Sequence, residues 1–369
     1  MMKVRLVLLF CLSLGFASAY ATPESSGFFT ASEGVLQKEA DAEVYSKNPE
    51  ANALYIQAQE YLSKGDPRAG GSLANARKAL ELFSQATQKD PKFALGYIGQ
   101  ADSLDLLSVH EADSLPPSEV YPRQEAAALK AAQIDDTLVQ AHVHLAEVYY
   151  ENAYDWPKAE KELMRVMALS PNNIVAICRY ARFLATMGKF QEAEAQVKLA
   201  QSIDEKSAVP NRALMLILYW QHKDDAAIAQ AMEALKKQEE NRVPHFFLGF
   251  IYIQQGKFDK GIEEFKLGSF GDAESLAALA YGYAMAGKKK ELNDTLEELK
   301  RFPGRNQPFY ALGQVYVALG DKDRAIQLIA KDYDVHSNHM DWLKVDPTLD
   351  PLRQDPRFKQ LMRKMNFEE

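Results

Sequence analysis

The stretch Tyr180–Asp204, "YARFLATMGKFQEAEAQVKLAQSID", decides the fold. It reads as two helical runs separated by Gly188, a residue suited to the left-handed end of a helix. Small Ala181 lies in the first run, with Leu184 three residues on; small Ala193 lies in the second, with Val197 four residues on. The same arrangement returns along the chain. The first small position is taken by Ala146, Ala181, Met215 as an exception, Gly249, Ala280 and Gly313, at spacings of 35, 34, 34, 31 and 33. The large residue after it is Tyr149, Leu184, Leu218, Tyr252, Tyr283 and Tyr316. The second small position is taken by Ala159, Ala193, Ala227, Gly261, Leu292 as an exception, and Ala325. Its apolar follower is Leu163, Val197, Ala231, Phe265, Leu296 and Ile329.

Two helices cross closely only where one of them carries a small side chain, and large residues one turn away fill the space beside the crossing. One such pair cannot bury its apolar face alone, but stacked pairs can. The period therefore predicts an all-α fold, a right-handed solenoid of antiparallel helix pairs. About eight pairs fit between residues 49 and 333: two degenerate pairs with insertions over 49–136, and six regular ones over 137–333. Residues 334–369 read as a C-terminal cap with a capping helix. Asp355-Pro356 is a helix start. Phe358, Leu361, Met362 and Met365 follow on one face, as a lid over the last pair requires.

Tyr180–Asp204 and "LGQVYVALGDKDRAIQLI", Leu312–Ile329, resemble the tetratricopeptide-repeat family, whose period is about 34 residues. Residues 48–367 are also similar to tetratricopeptide modules that trail bacterial signalling proteins. Those proteins often begin with a DNA-binding, cyclase or kinase domain; here a signal peptide stands in that place. The resemblance implies a concave surface lined by first helices that holds an extended or helical peptide. One version of the family grips C-terminal carboxylates with Lys and Asn on this wall. Here Cys178, Arg182, Arg212 and Leu216 occupy it, so that clamp does not transfer.

The N-terminus, "MMKVRLVLLFCLSLGFASAYATPESS", has a charged start at Lys3 and Arg5 and an apolar run from Leu6 to Phe16. Two small-x-small sites follow, Ala17-Ser18-Ala19 and Ala19-Tyr20-Ala21. Residues 1–21 are thus expected to be a secretory signal peptide and 22–48 a polar lead-in. The apolar run is short of the roughly 20 residues a membrane span needs, so no stable span is expected in the mature chain. Removing this segment takes the formal charge of −8 to −10. That balance argues against a nucleic-acid binder, which needs a basic footprint. Cys178 is then the one cysteine left, so no internal disulfide staples the chain.

Gly282 and Gly287-Lys288 imitate the spacing of a phosphate loop. Such a loop needs free backbone N–H groups between a strand and a helix, and a final Ser or Thr for magnesium. Here Tyr283–Ala286 are helix residues and Lys289 takes the Ser/Thr position, so nucleotide binding is not expected. His336, His339 and Asp341 have a spacing that can seat a metal, and they carry the alternative reading of a metal-binding or catalytic protein. His142 and His144, two apart on a helix, point to different faces. Cys178 reads as a packed helical residue. No cofactor is expected.

The period also places residues on the inner wall. One series runs Cys178, Arg212, Phe246, Ala277 and Tyr310; a second runs Arg182, Leu216, Phe250, Tyr281 and Gln314; Tyr219, Trp220 and Ile253 lie nearby. The groove candidates are Arg182, Arg212, Leu216, Tyr219, Trp220, Phe246, Phe250, Ile253, Tyr281 and Tyr310. Tyr, Trp and Arg are residue types that dominate binding hot spots. The sequence thus describes an exported, non-catalytic scaffold or adaptor that binds a protein or peptide through its concave face. A self-assembling structural solenoid is the remaining alternative.

Overall fold

The computed structural model describes residues 45–65, 71–108, 115–302, 307–336 and 340–367. The expected signal peptide and most of the lead-in lie outside them. The described residues form eight helix pairs. These are α1 (Pro49–Leu62) with α2 (Leu73–Lys89), α3 (Ala94–Ser108) with α4 (Pro117–Ile134), and α5 (Val139–Glu147) with α6 (Trp156–Leu169). Next come α7 (Ile174–Thr186) with α8 (Phe190–Ile203), and α9 (Val209–Trp220) with α10 (Asp224–Lys237). Then follow α11 (Arg242–Gln254) with α12 (Phe258–Leu267), α13 (Ala273–Met285) with α14 (Lys289–Leu299), and α15 (Phe309–Ala318) with α16 (Lys322–Asp334). Each helix packs on its partner, and from α7 to α15 successive first helices pack on one another, which makes the stack a solenoid. No strand occurs among the described residues.

Local chemistry sets the ends of these helices. Asp90, Asp135 and Asp204 follow α2, α4 and α8, and each carboxylate accepts the backbone N–H two residues on, turning the chain into the next pair. Between the helices of a pair, Gly188, Gly256, Gly287 and Gly320 hold φ of 83°, 73°, 67° and 78°. The equivalent positions in the third and fifth pairs are Tyr154 and His222, which hold the same left-handed backbone at φ 49° and 56°.

The crossings lie where the spacing puts them. Ala181, Ala193, Ala227 and Ala325 are fully buried. In the sixth pair the helices meet through glycine on both sides: a Cβ on Gly261 would stand 2.9 Å from the Gly249 carbonyl oxygen. A Cβ on Gly249 would stand 2.4 Å from the Phe265 ring. Irregular spacings have local causes. Thirteen residues separate Ala146 from Ala159, where twelve separate Ala181 from Ala193. The extra residue is absorbed by a π turn, Val148–Asn152, that continues α5. The short step of 31 accompanies the ten-residue α12, which stops at Gly268, where a Cβ would come 2.4 Å from the Phe246 backbone nitrogen.

The C-terminal segment has two 3₁₀ turns, Met340–Trp342 and Pro347–Leu352, then α17 (Pro356–Lys364). Phe358, Leu361 and Met365 are buried, and Arg357 bridges to Asp323 of α16 at 2.8 Å, as a lid over the last pair requires. The segment also goes much further than a lid. Trp156 of α6 donates its indole N–H to the Met365 carbonyl at 2.9 Å, Phe367 stacks on Trp156 at 4.7 Å, and Asn366 donates to the Tyr154 carbonyl at 3.1 Å. The end of the chain is thereby fastened to the third pair.

Candidate functional site

The first helices carry the expected wall, but its apolar half is occupied. Trp342 packs its ring 6.2 Å from Trp220 and 6.1 Å from Phe247. Asp346 accepts hydrogen bonds from the Tyr310 hydroxyl at 2.8 Å and the Gln314 amide at 2.9 Å. Lys344 donates to the Met187 carbonyl at 3.3 Å. Residues 340–352 thus lie across α7, α9, α11 and α15. This corrects the expectation of an open groove: Leu216, Tyr219, Trp220, Phe250, Ile253, Tyr281 and Tyr310 are all buried. Phe250 stacks edge-on to Phe265 at 4.8 Å and lies 5.5 Å from Tyr281, so it is a packing residue of the array. Phe246 and Arg212 keep partial exposure, with Phe246 against Phe265 and Arg212 beside Gln238.

Arg182 belongs to the other half of the wall, which carries paired charges. A cleft of about 40 Å³ opens between α5 with its π turn, α6 and α7, lined in part by Glu147, Tyr150, Glu151, Val175, Arg179 and Arg182. Arg179 pairs with Glu147 at 2.7 Å, and Arg182 lies 3.7 Å from Glu151 with its guanidinium over the Tyr150 ring. The Tyr150 hydroxyl meets Thr186 at 2.9 Å. Beneath this layer, His144 is fully buried; Asp102 accepts from its Nε2 at 2.8 Å and Gln124 contacts its Nδ1 at 3.1 Å. Burial alone would lower the His144 pKa, but the Asp102 hydrogen bond and charge carry it up to about 8. Burial, with the neighbouring Glu147 charge, pushes the Glu151 carboxyl up to about 8 against the opposing pull of Arg182. The cavity is far smaller than the roughly 300–1,000 Å³ of a small-molecule site. It has room for the end of a side chain, with a mainly apolar lining that includes Val143, Leu163, Val166 and Phe183 beside the paired acids and guanidiniums.

A tetratricopeptide-repeat family model matches residues 307–331, which span α15 and most of α16. The crystal structure of yeast Tom70 superposes with a TM-score of 0.55 at 17% identity, over 94% of this chain and 72% of that one. The fold is the tetratricopeptide-repeat solenoid. A tetratricopeptide repeat protein from Parabacteroides merdae matches at TM-score 0.45 and 12% identity, over 86% of this chain and 99% of its own. Pseudomonas aeruginosa pilF matches at 0.42 and 17%, over 57% and 92%. No curated protein sequence matches.

The tetratricopeptide register also accounts for the motifs that imitate chemistry. Gly282 lies inside α13 and Gly287 ends it, while Lys288 pairs with Asp259 at 2.7 Å on the surface. The intervening N–H groups are spent in the helix. Cys178 is fully buried, and burial pushes its thiol up to about 12. His142 turns to Glu162 and the Asp136 carbonyl, the opposite side from His144. Asp341 is buried toward Tyr150 and Arg182; His339 lies outside the described residues. Among the described residues, no group of three or more His, Cys, Asp and Glu is arranged to hold a metal. No described helix is long and apolar enough to cross a membrane.

Sequence reasoning missed Glu147, Tyr150, Glu151 and Arg179. The repeat spacing pointed to one of them: Glu147 lies 35 residues before Arg182, the separation of Ala146 from Ala181. The π turn that presents Tyr150 and Glu151 left its only trace as that one-residue excess in the period.

Proposed function

We propose that this chain is an exported, non-catalytic scaffold whose tetratricopeptide array binds a protein partner at the cleft between its third and fourth pairs, where paired charges border an apolar lining. The observation that carries the reading is the division of the wall. The chain's own C-terminal segment fills the apolar half and reaches Tyr150 and Arg182 through Asp341, while the cleft beside Glu147, Glu151 and Arg179 stays open. Paired guanidinium and carboxylate groups recognise charged side chains with directional hydrogen bonds, which favours specificity over bulk affinity. Export is supported by the charged and apolar N-terminus of the sequence. N-terminal sequencing of the mature protein is expected to read from near Tyr20 or Thr22; a soluble form that retains Met1 refutes export.

Partner binding is tested with a photo-cross-linking residue at Val175, which lines the cleft and is partly exposed, and with a second at Leu199, exposed on α8. In cells, a discrete adduct is expected from position 175 and none from 199. Equal cross-linking from both positions, or none from either, removes the cleft as the contact.

A further inference from the structure

The seam between the third and fourth pairs differs from those that follow it. From α7 to α15 successive first helices pack directly on one another, but the cleft intervenes between α5 and α7. The apolar cores divide at the same place. Ala181, Leu184 and Ala185 of α7 join the core that runs on through α9 and α11. Leu145, Tyr150, Trp156 and Leu163 of the third pair belong to another core, shared with Phe183 and with Met340, Leu349 and Met365 of the C-terminal segment. Beside a small apolar contact of Val143, Val166 and Ala176, polar groups cross the seam. Arg179 meets Glu147 at 2.7 Å, Arg182 lies 3.7 Å from Glu151, and the Tyr150 hydroxyl meets Thr186 at 2.9 Å.

Glu151 stands among an excess of acids. It is faced by Glu147 of α5, Asp105 of α3 and Asp341 of the C-terminal segment, and by Arg182 of α7, with Arg179 beside them on Glu147. The neutral Tyr121 of α4 and the apolar Leu163 and Val166 of α6 complete the surroundings. Two guanidiniums therefore face three carboxylates before Glu151 ionises, and its ionisation adds a fourth. We propose that this seam is a pH-gated hinge: it is closed while Glu151 carries its proton, and ionisation of that carboxyl swings α5 away from α7 and widens the cleft. This adds regulation to the partner site proposed above and rests on that reading for its consequence.

A buried carboxylate without a close cation is costly, and opening the cleft lets water solvate it. The sign follows from the proton. In the closed seam burial, with the Glu147 charge, holds the Glu151 carboxyl up to about 8. Solvation in the open seam returns it toward the ordinary 4.5, so rising pH favours opening. His144 titrates in the same range, but its partners are Asp102 of α3 and Gln124 of α4, so it does not span the seam. The third pair stays attached at its far edge while the seam opens. There Trp156 donates to the Met365 carbonyl and stacks on Phe367, and Asn366 donates to the Tyr154 carbonyl. Movement at one edge with attachment at the other is a hinge. Glu151 itself rides on the π turn, a local widening of the helix that recurs at functional sites.

The test measures the distance between two nitroxide labels across the seam by pulsed electron spin resonance, in the full mature chain. The labels are carried by Ala153→Cys after the π turn and Gln191→Cys in the first turn of α8, both exposed positions. Asp225→Cys with Lys257→Cys, also exposed, reports the seam between the fifth and sixth pairs as a control. Cys178 is fully buried and does not compete for label. From pH 6 to pH 9 the distance from 153 to 191 is expected to lengthen by roughly 2 Å or more, the scale on which packed helices shift, and the control distance to stay constant. With Glu151→Gln added, the distance from 153 to 191 is expected to keep its pH 6 value at pH 9. A distance that does not change with pH, or equal lengthening at both seams, overturns the hinge, and both results come from chains that keep Glu151. Lengthening that persists in Glu151→Gln assigns the titration to another group and overturns the gate. Cross-linking from Val175 reads partner contact, not this distance. An adduct there with an unmoving seam rejects the hinge alone, and a moving seam without an adduct rejects the partner reading alone.

Discussion

His222 holds φ of 56° where the fourth, sixth, seventh and eighth pairs have glycine. Left-handed backbone costs an L-residue roughly 1 kcal/mol or more, and glycine carries no such penalty. The one polar tie of its side chain is the half-exposed pair with Asp350. His222→Gly is therefore expected to stabilise the protein by about 0.5–1 kcal/mol, read as a higher denaturant midpoint. Two buried groups, Glu151 in the cleft and His144 beneath it, make stability depend on pH. Glu151 and His144 both have folded-state pKa values raised to about 8, from ordinary values of 4.5 and 6.5. A raised value means the folded state holds its proton more tightly than the unfolded state. The stabilisation from His144 is complete below about pH 6.5 and is lost as pH rises through 8. The ionisation penalty of Glu151 grows over the range from 4.5 to 8 in the same sense. Thermal stability is expected to fall as pH rises from about 4.5 to 8, most steeply above 6.5 where both groups contribute, by on the order of a few kcal/mol for the two together. Glu151→Gln is expected to flatten that profile; an equally steep profile in this variant means that Glu151 does not titrate there.

Helices pair here through small residues whose positions tolerate little change. Gly249 faces the Phe265 ring across α11 and α12, and Phe265 is itself packed by Phe250 and Phe246. Gly249→Ala puts a methyl group where no space exists, so the ring must shift or the helices must part. Overpacking of this kind costs typically 1–3 kcal/mol. An unchanged melting curve would show that the sixth pair crosses elsewhere. At Gly188 a Cβ meets nothing within 4 Å, and only its φ of 83° requires glycine. These are two different uses of glycine: one for space at the crossing and one for backbone at the turn.

A solenoid is normally a chain of nearest-neighbour contacts that can fray from its ends. This one has a contact that closes a circuit. Trp156 and Met365 are 209 residues apart and share a 2.9 Å hydrogen bond, so the C-terminal segment that packs on the last pair is tied to the third pair. Pairs three to eight are accordingly expected to unfold as one cooperative unit in denaturant. A chain ending after Asp334 is expected to unfold in a broader transition at lower denaturant, and to bind a dye that reports exposed apolar surface, because Trp220, Phe247 and Tyr310 lose their cover. A truncated chain with an equally sharp transition would show that the tie carries no cooperativity.

The period by itself determined the helix pairs, their order, and the crossing residues from Ala146 to Ala325, because each depends on contacts within about 35 residues that repeat. It also ruled out a phosphate loop at Gly282, since the register made those residues helical. It named Leu216, Trp220 and Tyr310 as inner-wall residues, but it could not show that the wall is filled. The filling segment occurs once, has no repeat to set its register, and carries only one recognisable signal, the start of α17. Its path is set by complementarity: Trp342 with the gap beside Trp220, Asp346 with the donors of Tyr310 and Gln314, and Phe367 with Trp156. Those partners lie from about 30 to more than 200 residues away, and only the completed superhelix brings them together.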